Sequence, residues 1–599
     1  MNMEQLNKEY AQRISNKKKN LQKLKKRIFG VSMARTLLFI SICLSFYYLW
    51  QNKSLLSTTI SLEALLFILF IKAHNKLFKQ KKETELLIQI NQRELEAING
   101  DLKNFDKGDE FIDHTHFYSF DLDVFGENSL FQLINRTSTK IGKIKLANWL
   151  NNHLIKSEQI LKRQESIKEI TPLLQLRQSF QLIGLSNEEQ LTELDLLQWI
   201  QPSKLKKERL LKITPYLVAT INMLLLIFAI LQITPISIGV IFFVFSIVLN
   251  TILVRQIKAK LEDNTKGLLT LSTYTSLFML LEEHKFESEL NKELINSCYQ
   301  KEKRPSRQLN KIINLSDNIK QRNNLFIALL FNGLFLWEFH LSLKIEQWKK
   351  EHITSLPKWI ESLSQFDALI SLANFAYNHP TYTYPNIVTE EYTLCGQDLG
   401  HPLMLKKECV TNPISMNSRG TFLIITGANM AGKSTYLRTI GLNYLLACIG
   451  TTVYAKKFNI SPSQLITSLR TSDSLMENES YFFAELKRLK VIIDLLNKGN
   501  NLFIILDEIL KGTNSIDKLK GSTALIEQLI HKETNGLIAT HDIQLTELEH
   551  RYPKKITNFC FESTINNGEI NFDYQLKQGV VKNMNAYFLM RKMGILNKR

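Results

Sequence analysis

The run Gly427-Ala428-Asn429-Met430-Ala431-Gly432-Lys433-Ser434 has the residue types and spacing to hold a phosphate group. Apolar Phe422 to Ile425 precedes it and a helix-like stretch follows. Strand, glycine loop and helix in that order aim successive backbone N–H groups at phosphate oxygens. Gly427 and Gly432 permit the turns, where a side chain would obstruct the approach. Lys433 offers a point charge to the β- and γ-phosphates, and Ser434 offers its hydroxyl to Mg2+, with the positive end of the helix dipole adding attraction.

A glycine-rich loop can match this pattern by chance, so its surroundings decide. Leu502 to Leu506 is an apolar run of strand length ending in Asp507-Glu508. Buried parallel strands read this way, and acidic groups at their carboxyl ends face the crevice where α/β sheets bind ligands. Asp507 would hold the Mg2+ shell and Glu508 would polarise an attacking water. A third strand, Leu537 to Thr540, delivers His541, which could sense the γ-phosphate or orient the water. Each feature alone has a plainer reading, as helix-capping carboxylates or a surface histidine. In this order they point to an ATPase with ATP and Mg2+ as its ligands.

The elements that would position this chemistry occupy one end of a 599-residue chain, long enough for several domains. Six scattered cysteines without a C-x-x-C pair suggest neither a zinc site nor a disulfide framework, and fit a reducing compartment. Much of the formal charge of +18 flanks four apolar segments. Met33 to Trp50 and Leu55 to Ile71 form one close pair; Pro215 to Ile233 and Pro235 to Val254, joined by Thr234, form another. Each suits the roughly 30 Å of a bilayer's hydrocarbon.

Lys23, Lys25, Lys26, Arg27 and Arg35 precede the first pair, and Lys72, Lys76, Lys79, Lys81 and Lys82 follow. Lys204, Lys206, Lys207, Arg209 and Lys212 precede the second, with Arg255, Lys258 and Lys260 after it. By the positive-inside rule both hairpins enter and leave from the cytoplasm, so the N-terminus and the ATPase share that face. Glu63, near the centre of its span, would cost about 2 to 4 kcal/mol there unless it faces a partner helix. No cleavable signal peptide is expected. Leu325 to Trp337, interrupted by Asn332, predicts a buried soluble helix, not a fifth span.

The expected organisation is a basic N-terminal helix, first hairpin and stalk over 1–110, and a helical core over 111–214. The second hairpin follows at 215–254, further helical core at 255–384, and an α/β domain at 385–599. Pro385, Gly396, Gly400, Pro402 and Pro413 mark the entrance to that last domain.

The stretch Thr426 to Arg438, including Thr435, resembles the phosphate loop of the MutS family of DNA mismatch-repair proteins almost throughout, Asn429-Met430 most specifically. Asp507-Glu508-Ile509 with Gly512-Thr513 and Asp517, and Ala539-Thr540-His541, are similar to its later motifs. Gly400-His401-Pro402 and Asn412 match upstream, and Ser480 with Phe482 and Glu485 sits where the family has a serine motif reaching the nucleotide of the opposite subunit. A weaker likeness runs through Ser129-Leu130-Phe131, Asn135, Gly142, Trp149-Leu150 and Arg163-Gln164. No segment resembles the family's mismatch-reading or connector domain. Lys511 replaces a usual arginine, Tyr481 a threonine, and Cys409 an aromatic that commonly stacks on adenine.

The resemblance implies a P-loop NTPase domain of ABC type, an α/β fold with a mostly parallel sheet, working as a homodimer through composite sites. Catalysis falls to Glu508, His541 and Lys433. Nucleotide binding falls to Gly427 through Thr435, Asn412 and Ser480, and metal binding to Ser434 and Asp507. Taken with the apolar segments and their basic flanks, the expected function is a membrane-anchored ATPase that binds DNA, mainly through its phosphates, without evidence for mispair reading. The alternative is a membrane mechanoenzyme whose dimerisation moves the hairpins without DNA.

Overall fold

The computed structural model describes residues 2–187, 191–202, 208–258, 264–299, 303–320, 325–428, 430–470, 481–511, 513–566 and 569–581. Lys204, Lys206, Lys207 and Lys260, four of the charges flanking the second apolar pair, lie outside the described residues. The chain divides into two compact units: 1–136, 146–172 and 371–599 form one, 137–145 and 173–370 the other.

The first unit contains two sheets. Strands β1 (Asn386–Ile387), β2 (Leu394–Leu399), β3 (Asn412–Met416) and β5 (Lys457–Ile460) form a small sheet in the order β1-β5-β2-β3. The larger sheet uses β4 (Phe422–Gly427), β6 (Gln464–Ser468), β7 (Leu502–Asp507), β8 (Asn535–Thr540), β9 (Ile556–Asn566) and β10 (Glu569–Gln578), ordered β10-β9-β4-β8-β7-β6. Pairing is parallel for β4 with β8 and β9 and for β7 with β6 and β8, while β10 runs antiparallel to β9. Every residue of β4 and β8 is buried, as the continuous apolar runs of strands covered on both faces require.

Register decides where the strands end. Thr426 pairs with Thr540, and Asp507 with Ala539, so β4, β7 and β8 finish at one edge of the sheet. The helix Lys433–Cys448 packs against β4, β7 and β8. Gly441 on that helix lets the chain come close, because a Cβ there would meet Leu122 at 2.7 Å. Phe422, Ile424, Ile504, Leu506 and Ile538 share a buried cluster with Ile492, Ile526 and Leu529, each worth about 1.5–3 kcal/mol of apolar transfer.

The same unit carries two helices of 46 residues, Met3–Tyr48 and Lys53–Ile98, packed along one another. An Asn2 capping box starts the first, and Asn52 caps the second. Their free ends meet a buried polar network. Glu94 accepts from Arg136 Nε and from the amides of Asn374 and Asn378, each at 2.8 Å, and Tyr10 donates to Asn378 at 2.8 Å. Further along, Glu63 is 8% exposed and faces the neighbouring helix, accepting from Ser41 at 2.7 Å and Ser45 at 3.1 Å.

In the second unit, Asp367 is wholly buried and accepts from the Thr139 hydroxyl at 2.6 Å and from the backbone N–H of Ser138 and Thr139. Burial pushes its carboxyl up to about 6, against those donors. The helices Glu208–Ile230 and Ile236–Lys258 pack together, and the helix Leu325–Phe335 lies against both.

The expectation of a buried helix from Leu325 to Trp337 needs correction. Leu329, Leu330 and Phe331 are 43%, 51% and 38% exposed, because one face alone meets the two neighbours. The helix stops at Leu336, whose φ of 48° is left-handed. Asn222 donates to the carbonyls of Gly333 and Leu334, and Asn250 accepts from Phe339 N–H, satisfying the groups the break frees. Among the described residues, four helices are long and apolar enough to cross a membrane by length and composition: Met3–Tyr48, Lys53–Ile98 and the segments Leu210–Ile230 and Ile236–Arg255.

Candidate nucleotide site

At the shared edge of β4, β7 and β8 a cavity of about 560 Å3 opens. The loop after β4 forms one wall. Gly427 has a φ of 155° and Gly432 one of 106°, and Gly432 ends the loop as the residue capping the helix Lys433–Cys448. Ala428, Met430, Gly432, Lys433, Ser434 and Thr435 line the cavity. Met430, with a φ of 67°, is 84% exposed, and Ala431 is buried beneath the loop. Asn429 lies outside the described residues, as does Ser480.

The chemistry of the opposite wall comes from β7 and β8. Ser434 donates to Asp507 Oδ2 at 2.6 Å. Lys433 Nζ donates to the carbonyls of Gly427 at 2.8 Å and Ala428 at 3.0 Å. Burial pushes its ammonium below the usual value, while Asp507 and Glu508 oppose that. Glu508 sits at a φ of 50°, just past the strand, with its N–H held by the Ala539 carbonyl at 2.9 Å. Its carboxylate meets His541 Nε2 at 2.6 Å and Lys511 Nζ at 3.3 Å. The His541 hydrogen bond, ahead of the charge of Lys511, holds the Glu508 carboxyl down at about 2.

A contact as short as that of His541 with Glu508 puts the imidazole proton on Nε2. Lys433 Nζ, 3.4 Å from the same nitrogen, is then a neighbouring charge and not a hydrogen-bond partner. Glu485 accepts from Leu510 N–H and from Lys511 N–H at 3.2 Å, fixing the turn after Glu508. Asp517 lies away from this cavity, at the start of the helix Ser515–His531, where Asn514 bonds it at 2.6 Å.

Asn412 lines the cavity, yet its amide is engaged with β10, donating to the Tyr574 carbonyl at 2.9 Å and accepting from Leu576 N–H at 2.8 Å. This grip spans the register break of β10 between Phe572 and Leu576. Tyr574 there takes a φ of 54° and lines the cavity beside Gly432. Residue-by-residue reading missed Tyr574, Phe561 and Met404 as lining groups. A regular strand would alternate through Asp573-Tyr574, and no residue in the sequence marks the break. Cys409 lines the same end, accepting from His401 N–H at 3.2 Å. Burial pushes its thiol up.

The donor set fits Mg2+. Ser434 and Asp507 are hard oxygen donors side by side, and among the described residues no group of three or more His, Cys, Asp or Glu could hold a metal alone. Mg2+ takes one or two protein oxygens and completes its shell with water and phosphate.

The family model described as MutS domain III matches residues 107–373, and that described as MutS domain V matches residues 423–591. Over 208 residues the chain is 35% identical to the DNA mismatch repair protein MutS of Thermotoga maritima, covering 34% of this chain and 26% of that protein. Over 254 residues it is 32% identical to the DNA mismatch repair protein MutS of Bacillus subtilis, covering 41% and 29%. Over 247 residues it is 34% identical to the MutS protein homolog 4 of Homo sapiens, covering 39% and 25%. The chain thus spans roughly a quarter of the length of these curated relatives. Two successive domain matches, the second running through the loop, the acidic pair and the histidine of the cavity, show that the chain belongs to the MutS family.

Proposed function

We propose that the chain is a Mg-dependent ATPase that binds DNA and is anchored in a membrane by its two apolar helix pairs. The observation that carries the ATPase reading is the meeting of Lys433, Ser434, Asp507, Glu508 and His541 in one cavity, although they come from three separate strand ends. Loop N–H groups and Lys433 would hold the triphosphate, and the exposed ring of Tyr574 would offer a face to the base. Ser434 and Asp507 would hold Mg2+, which supplies charge neutralisation on the phosphates. Glu508, kept ionised by His541 and Lys511, accepts a hydrogen bond from water and orients it. Two copies would close on one another, with Ser480 of each completing the other's site.

Support for DNA binding comes from the relatives, named for DNA mismatch repair. Support for the membrane comes from helix length and composition. In purified full-length protein, Glu508→Gln should leave ATP binding intact and lower turnover by about 100- to 10,000-fold. Turnover at the unaltered rate would reject this assignment.

One observation favours the second reading, in which nucleotide binding moves the helix pair. Met404 lines the nucleotide cavity and also a second cavity of about 220 Å3 bounded by Ala97, Ile98 and Gly100, where the helix Lys53–Ile98 ends. Leu405 lies close against Gly100, where a Cβ would meet its Cδ2 at 2.8 Å. A group shifted at the nucleotide would press directly on the foot of the pair.

A further inference from the structure

Between Glu9 and Glu83 the long helix pair carries one acidic residue, Glu63. That residue lies among the apolar turns, bonded to Ser41 and Ser45. Nearer the foot, six lysines and Arg27 fall between Lys17 and Arg27 on one helix, and five lysines between Lys72 and Lys82 on the other. Lys18, Lys19, Lys23 and Lys26 are exposed, as are Lys76 and Lys79. Lys19, Lys23 and Lys26 follow one another at helical spacing and share a face. Mutual repulsion of this density is costly in a bare helix and is relieved by a polyanion.

Distance along the helix selects the polyanion. Lys18 stands fifteen residues before Met33, about 22 Å at 1.5 Å per residue. A headgroup layer is only about 5–8 Å thick on each side of the hydrocarbon. The headgroup layer would therefore reach Lys72 and Lys76 and leave Lys18, Lys19 and Lys23 beyond it. A duplex presents one charge per about 1.7 Å of its axis, so the roughly 12 Å from Lys18 to Lys26 faces several phosphates at once.

We propose that this outer part of the stalk is the chain's binding surface for the phosphate backbone of duplex DNA, held against the membrane face of the protein. The proposal rests on the DNA-binding reading above and gives it a location. Contacts of this kind are independent of base sequence, since lysine meets phosphate as a point charge.

The test uses full-length protein in nanodiscs of zwitterionic lipid, titrated with a mixed-sequence duplex at several salt concentrations. It compares the unaltered chain with the triple variant Lys18→Gln, Lys19→Gln, Lys23→Gln, which keeps helix propensity. The slope of log affinity against log salt should fall by about 0.9 for each lysine–phosphate pair removed, about 2.7 in all, with ATP binding unchanged. If the unaltered chain binds duplex and the variant matches it in affinity and slope, the stalk is not the surface. Loss only of attachment to anionic vesicles, with DNA binding retained, would assign the lysines to lipid and overturn the proposal. Absence of salt-sensitive binding by the unaltered chain would overturn the DNA reading as well.

Discussion

The nucleotide cavity and the long helix pair use charge in opposite ways. In the cavity, five groups from the ends of three strands line one space, with Ser434 bonded to Asp507, His541 to Glu508 and Lys433 to the loop carbonyls. Along the helix pair, charges of one sign repeat at helical spacing, and none holds a singular place. A site that orients a reacting phosphate depends on position to a fraction of an ångström. A surface that attracts a polyanion depends on how many charges it presents. Single substitutions should therefore be severe in the first region and graded in the second.

The foot of the helix pair is an informative exception, because there the pair borrows the logic of the cavity. Glu94→Ala would strand the buried guanidinium of Arg136 and the amides of Asn374 and Asn378. A loss of about 3–5 kcal/mol is expected in denaturant unfolding. A loss of under about 1 kcal/mol would mean that the network is wet and the foot loosely held. Next in size, Lys433→Ala should weaken ATP binding about 100-fold, measured by equilibrium titration, as removal of a charge-assisted contact worth about 3 kcal/mol implies.

The third effect is read along the pH axis. Glu508 has a folded value of about 2 against an ordinary 4.5, so its ion-pair contribution is complete above 4.5 and is lost as pH falls through about 2. His541→Ala removes the largest cause of that depression. The acid-side loss of stability should then begin at higher pH, nearer 4.5, in unfolding curves collected across pH. An unchanged acid limb would show that Lys511 alone holds the carboxylate. Smallest of all, Lys26→Gln by itself should change duplex affinity only a few-fold, with a slope change of about 0.9. A collapse of binding from that one change would make the stalk a specific site and erase the contrast.

Local order explains what could be read from sequence. Gly427, Gly432, Lys433 and Ser434 stand together because one strand-to-helix turn needs them in a single short run. Asp507 and Glu508 stand out because an apolar strand of buried residues ends on two charges. Their approach to His541 depends on parallel register between β7 and β8, which apolar runs at strand length already suggest. Tyr574 is not legible, since its place depends on a register break in β10 held by Asn412 from a distant strand. Glu485 as the prop of the turn after Glu508 is a tertiary contact of the same kind. The half-exposed helix Leu325–Phe335 reads as buried because composition records apolar character and not which face is covered.

The central claim is that a magnesium-bound triphosphate sits where these strand ends converge. The most direct test is a structure of the full-length Glu508→Gln protein determined with MgATP. Phosphate density cradled by Gly427 to Thr435, with the metal on Ser434 and Asp507 and the altered side chain facing the γ-phosphate, is the predicted result. Nucleotide bound at another place on the chain, with Ser434 and Asp507 still bonded only to each other, would contradict it.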